Sequence, residues 1–204
     1  MSAPAADAVP ESAEALADDR ERVTAFGFYL YLLSDCILFA TLFAAFAVLR
    51  GAADGGPTEH DLFSLHTAFI ETACLLTSSF TCGLAMLASD RRSTAGTIGY
   101  LIATWVLGAG FLALELSEFG RMIHDGAGPD RSALLSSFFA LVSTHGLHVA
   151  VGMLWLAVLL IQLAGRGLSD AIRRRLFCFS LFWHVLDIVW IALFSFIYLV
   201  GVQG

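Results

Sequence analysis

Lysine is absent from these 204 residues, and all 11 basic positions are arginine. An alanine- and arginine-rich composition accounts for that absence, which carries no functional weight. Charge of either sign is scarce: 14% of residues are charged and 58% apolar, whereas about a quarter of a soluble domain is charged. A soluble fold is thereby excluded. Cysteine is limited to Cys36, Cys74, Cys82 and Cys178, with no Cys-x-x-Cys pair to suggest zinc or a redox dithiol. All four lie in apolar stretches and are expected to be small buried hydrophobes. Internal repeats are lacking, as are helices broken by Gly or Pro at matching positions, and this argues against a transporter.

What is present is long apolar sequence. Crossing about 30 Å of hydrocarbon at 1.5 Å per residue takes some 20 residues. Five stretches qualify: 26–49, 67–88, 98–119, 134–163 and 177–202. An open sheet cannot satisfy its backbone in lipid, and a barrel needs shorter, alternating segments. The expected fold is therefore an all-α membrane protein, a bundle of five transmembrane helices occupying 25–204. Short turn-rich loops such as Asp54-Gly55-Gly56-Pro57 and Asp125-Gly126-Ala127-Gly128-Pro129-Asp130 make consecutive helices antiparallel neighbours.

Residues 1–24 are expected to form a disordered cytoplasmic tail. Asp7, Glu11, Glu14, Asp18, Asp19 and Glu21 crowd it among Ala and Pro, so the formal charge of −7 says little about partners. The tail has neither a basic start nor an apolar core and is not expected to be a cleavable signal peptide. Orientation follows arginine near the helix ends. Arg20, Arg22, Arg91, Arg92, Arg166, Arg173, Arg174 and Arg175 fall on one side, against Arg50, Arg121 and Arg131 on the other. The amino terminus is expected to be cytoplasmic and the carboxyl terminus periplasmic.

Ionisable residues interrupt the spans. Asp35 lies in the first, Glu71 in the second, Glu115 and Glu118 in the third, His145 and His148 in the fourth, His184 and Asp187 in the fifth. A lone Lys, Arg or Asp at a helix centre costs about 2.5–3.5 kcal/mol on insertion scales, and such groups face protein or water rather than lipid. The three-residue spacing within each pair puts both members on one helix face.

Four explanations fit this pattern. A metal or haem site is the first, but no Glu-x-x-His of the di-iron bundles occurs. Paired axial histidines, His145 or His148 with His184, leave haem open. The second is a proton or ion path, made of carboxylates and imidazoles in series. The third is helix fastening by hydrogen bonds of about 1–2 kcal/mol or less. The fourth is a subunit or lipid interface. Gly146 and Gly152 beside the His pair would let helices approach closely, with the rings of Phe182, Trp183, Trp190, Phe194, Phe196 and Tyr198 filling opposing grooves. Trp155 lies too deep in its span to need an interfacial belt.

Two strings carry a family resemblance. Phe138-Phe139-Ala140 leading to His145-Gly146-Leu147-His148-Val149, and Phe182-Trp183-His184-Val185-Leu186-Asp187-Ile188-Val189-Trp190, resemble the hallmark strings of subunit III of haem-copper terminal oxidases. Ser117-Glu118-Phe119 and Ser34-Asp35 add to the likeness, which runs from about residue 25 to the end. Five helices, the Gly55-Gly56-Pro57-Thr58 loop and the Gly128-Pro129-Asp130-Arg131-Ser132 loop are most similar to the bacterial cytochrome bo-type ubiquinol oxidase branch. Cytochrome c oxidase relatives commonly have seven helices and Glu at the place of Asp35.

The resemblance implies a non-catalytic subunit of a proton-pumping quinol oxidase, in which ubiquinol is oxidised and oxygen reduced to water. It would bind no cofactor or metal of its own, the haems and copper belonging to subunit I. It would pack mainly on subunit I, with subunit II and a small subunit IV in the complex. It would hold phospholipid, support oxygen access and proton uptake, and lie as a multi-pass protein in the bacterial inner membrane, with no nucleic-acid partner. Asp35 matches the family's intramembrane carboxylate. Glu118, His145, His148, His184 and Asp187 match its polar network, with Glu71 and Glu115 alongside. The alternatives are a cytochrome c oxidase subunit III, a free-standing haem-binding membrane anchor, and a proton or ion transporter acting alone.

Overall fold

A computed structural model describes residues 11–52 and 65–199. The helices are α1 (Glu11–Leu49), α2 (Leu65–Asp90), α3 (Thr94–His124), α4 (Ala133–Arg166) and α5 (Asp170–Leu193), which continues as a π-helical segment, Phe194–Leu199. Each of the five is long and apolar enough to cross a membrane, and each contains the stretch expected from the sequence as far as residues are described. The Gly55-Gly56-Pro57-Thr58 loop and the end of the fifth expected span lie outside the described residues.

One boundary differs from expectation. α1 begins at Glu11, inside the segment expected to be a disordered tail. Its added turns, Glu-Ser-Ala-Glu-Ala-Leu-Ala onward, are rich in Ala, Leu and Glu. These are strong helix formers, and acidic groups near a helix N-terminus interact favourably with its dipole. The chain divides into two compact units, Met1–Ile37 and Leu38–Gly204.

Within the second unit, α2, α3, α4 and α5 close a ring in which each helix packs on two neighbours. Serines start three of them: Ser93, Ser132 and Ser169 each accept a backbone N–H, from Gly96, Leu135 and Ile172 at 3.3, 3.2 and 3.4 Å. Such caps satisfy donors that a helix start leaves unpaired. Gly167 ends α4 at φ 67°, a left-handed geometry that favours glycine. At the same end of the ring, Arg173 of α5 meets Asp90 of α2 at 3.0 Å.

Trp183 fills the centre. Its indole N–H donates to Ser78 Oγ of α2 at 3.1 Å, and Ser78 donates onward to the Thr104 carbonyl of α3 at 3.0 Å. Two glycines admit the ring. A Cβ on Gly108 of α3 would stand 3.1 Å from Trp183 Cη2, and one on Gly152 of α4 would stand 3.0 Å from Trp183 Cζ3 and 2.9 Å from Phe182 Cε1. One side chain of α5 thus touches the other three helices of the ring. The rest of α5 follows suit, with Phe179 stacked on Trp183 at 5.5 Å and Trp155 of α4 edge-on to Phe179 at 5.6 Å. The expected match of glycine to ring is met at Gly152. At Gly146 the group that fills the space is the Glu115 carboxylate.

The cysteines depart from expectation. Cys82 is buried, but Cys74 and Cys178 are half-buried and Cys36 is exposed. Membrane helices present apolar side chains outward as readily as inward, so an apolar stretch does not by itself put a residue inside.

Candidate functional site

The mid-span ionisable residues of the second unit separate into two groups. The first lies between α2, α3 and α4. Glu71 is 1% exposed and Glu115 4%, and Glu118 is buried as well; the three carboxyl groups are within electrostatic reach of one another. Glu115 lies against α4, its carboxylate 2.9 Å from where a Cβ on Gly146 would stand. Both Glu115 oxygens and Glu71 Oε1 are without a hydrogen-bond partner among the described residues. Glu118 reaches away along its own helix and accepts from Arg121 at 3.2 Å.

His145 is wholly enclosed, and neither of its ring nitrogens has a hydrogen-bond partner among the described residues. Aromatic rings surround it. Trp190 lies 5.2 Å away, Phe111 5.8 Å and Phe39 6.2 Å, centroid to centroid. Trp190 itself donates to Thr72 Oγ1 of α2 at 3.0 Å and meets Phe111 of α3 edge-on at 4.7 Å. His148 is half-buried one turn on, its Nδ1 2.7 Å from the Thr144 carbonyl and its ring 5.2 Å from Phe39. From Leu38 onward, α1 therefore presents Phe39 to the imidazole pair, and its Phe43 and Phe46 meet Phe196 of the π-helical segment at 6.2 and 6.4 Å.

The second group belongs to α2 and α5. His184 Nδ1 lies 2.6 Å from Ser79 Oγ. Asp187 is 9% exposed and close to both Ser79 and His184, and its Oδ1 is without a hydrogen-bond partner among the described residues. Spacing left open whether His184 would pair with Asp187 or with a carboxylate on another helix, and a serine takes its Nδ1 instead. Asp35 belongs to the other unit, where the Tyr31 hydroxyl one turn earlier donates to it.

Hydroxyl partners are what the pattern of acids and imidazoles missed. Thr72 and Ser78 accept from Trp190 and Trp183, Ser79 pairs with His184, Ser78 donates onward to the Thr104 backbone carbonyl, and the Thr81 and Thr104 hydroxyls meet at 2.9 Å. The run Thr77-Ser78-Ser79-Phe80-Thr81 in the middle of an apolar span was the available signal. Among the described residues no group of three or more His, Cys, Asp or Glu side chains is placed to hold a metal ion.

These features define a class: a multi-pass helical membrane protein with ionisable and hydroxyl groups gathered between its helices at mid-span. The chain matches the family described as cytochrome c oxidase subunit III over residues 20–202, and it belongs to that family. It is therefore a subunit of a terminal oxidase complex, with other subunits as partners. It is 50% identical over 184 residues to cytochrome bo(3) ubiquinol oxidase subunit 3 of Pseudomonas putida, covering 90% of this chain and 89% of that one. The protein of the same name from Pseudomonas aeruginosa is 51% identical over 178 residues, 87% and 85% of the two chains. Quinol oxidase subunit 3 of Bacillus subtilis is 43% identical over 183 residues, 90% of each.

Proposed function

We propose that this chain is the accessory third subunit of a cytochrome bo-type ubiquinol oxidase in a bacterial cytoplasmic membrane. One observation carries the reading: relatives named as quinol oxidase subunit 3 in Pseudomonas and Bacillus align along about nine-tenths of their own length and of this chain. The complex oxidises ubiquinol and reduces oxygen to water while moving protons, with haems and copper in subunit I, and this chain breaks no bond. It packs mainly on subunit I, beside subunit II and a small subunit IV. It holds phospholipid and supports oxygen access and proton uptake.

Hydrogen bonds between the helices support a fastening role for the mid-span residues. Trp183, Trp190 and His184 each bond to a hydroxyl on α2. Such bonds are worth about 0.6 kcal/mol each on average between membrane helices, so several in series hold a ring together without any one dominating. Glu71, Glu115 and His145 lie enclosed between the helices, and Glu118, His148 and Asp187, with Asp35 in its own unit, complete the polar set proposed to serve fastening or a subunit or lipid interface.

Purification through a tag on this chain tests the reading. The expected complex contains a large haem- and copper-bearing subunit and oxidises ubiquinol far faster than reduced cytochrome c, while the isolated chain has no Soret absorption. Preferred oxidation of cytochrome c would move the chain to the cytochrome c oxidase branch. A stoichiometric haem in the isolated chain would refute the accessory role.

A further inference from the structure

Hydroxyls of α2 serve the polar groups of α5: Ser78, Ser79 and Thr72 meet Trp183, His184 and Trp190. One layer of the ring has no such partner. Glu71 on α2, Glu115 on α3 and His145 on α4 are each more than nine-tenths buried. Five of their polar atoms, Glu71 Oε1, both Glu115 oxygens and both His145 ring nitrogens, are closed to solvent and without a hydrogen-bond partner among the described residues.

Contacts place the three side chains at one level. The Glu115 carboxyl lies against Gly146, the residue next to His145. The His145 ring meets Phe111, one turn before Glu115 on the same face of α3, at 5.8 Å. It also lies 5.2 Å from Trp190, whose indole N–H is bonded to Thr72, the residue after Glu71. Glu71 is in turn within electrostatic reach of Glu115. The Thr72 hydroxyl is already engaged, donating to the Ala68 carbonyl at 2.7 Å and accepting from Trp190 at 3.0 Å.

A buried polar group left unpaired forfeits its hydration, and nearly all such groups in folded proteins find a protein partner or an ordered water. The chemistry of these three narrows the partner. Ionised carboxyl oxygens require donors, whereas a neutral imidazole requires an acceptor at one nitrogen and a donor at the other. The partner must therefore both give and accept hydrogen bonds, which a metal ion does not do. Among the described residues, moreover, no group of three or more His, Cys, Asp or Glu side chains is placed to hold one. A lipid headgroup is too bulky to reach atoms enclosed between helices on this scale. Water meets both requirements, and buried waters typically make about three bonds to otherwise unpaired groups.

We infer that Glu71, Glu115 and His145 hold enclosed water, which joins α2, α3 and α4 in the layer that no hydroxyl serves. The inference goes beyond the oxidase assignment and does not depend on the electron donor.

A cryo-EM map of the purified complex, at a resolution that shows ordered water, tests it. The expected result is a density peak within hydrogen-bond distance of the Glu115 carboxyl and of Glu71 or His145. A map of Glu115→Gln, whose amide both donates and accepts, should keep the peak, and a map of Glu115→Leu should lose it. A peak that persists unchanged in the Leu variant would overturn the place of Glu115 in the site. The parent map decides the main point even where a variant fails to assemble. Direct bonding of Glu115 to His145, or no density in this layer where other enclosed waters of the same subunit are resolved, would overturn the inference.

Discussion

Gly152 and Trp183 form the most demanding contact in the ring, because one depends on the other having no side chain. A methyl group at position 152 would stand 2.9 Å from Phe182 and 3.0 Å from Trp183, and both rings are buried. Overpacking of this kind costs about 1–3 kcal/mol. Gly152→Ala is therefore expected to lower the unfolding temperature of the subunit measurably in detergent or nanodiscs. Gly110→Ala on α3 is the control: nothing lies within 4 Å of its Cβ position, and a helix interior favours Ala over Gly by about 1 kcal/mol. Equal melting shifts in the two variants would show that Trp183 does not wedge into α4. Gly146 makes a different demand, since the group opposite it is the flexible Glu115 side chain.

At the scale of elements, the helices were legible because apolar length acts locally, whereas the serine caps emerged only with the structure. Each expected span lies within an observed helix as far as residues are described, and Ser93, Ser132 and Ser169 mark starts that local sequence determines. Partner choice was not legible. His184 could not be matched to Ser79 from sequence, because the two are 105 residues apart and meet only once α2 and α5 run antiparallel. For the same reason the spacing of His145 and His148 identified one face without showing that aromatic rings enclose the first. The seam of α2 and α5 also has an ionic clasp at its end, where Arg173 bridges Asp90 at 3.0 Å and Asp170 at 3.7 Å. Both carboxylates are largely exposed, so water and salt screen the clasp and its worth is about 0–1 kcal/mol. Arg173→Ala should shift the unfolding midpoint slightly at low salt and not at all at high salt. A large, salt-independent loss would assign Arg173 a packing role instead.

At the scale of the whole molecule, the arginine distribution makes a claim about sidedness. The turn Arg91–Ser93 and the turn Gly167–Ser169 lie at one end of the ring, joined by the Arg92–Asp170 contact at 3.5 Å, while α3 ends and α4 begins at the other. Single cysteines replacing Arg92 and Asp130 in a cysteine-free background are expected to react from opposite sides of sealed inner-membrane vesicles. The Arg92 site should be cytoplasmic. Labelling of both from one side would contradict the antiparallel order, and a reversed pattern would contradict the orientation drawn from arginine.

Trp183 also bears on how the molecule is made. Ribosomes deliver helices in chain order, so α2, α3 and α4 reach the membrane before the side chain that occupies the space among them. Until α5 arrives, Ser78, Gly108 and Gly152 surround a gap without its indole. The keystone is thus the last stone set. Translation that stops short of residue 183 leaves α2, α3 and α4 without the one side chain that touches all three.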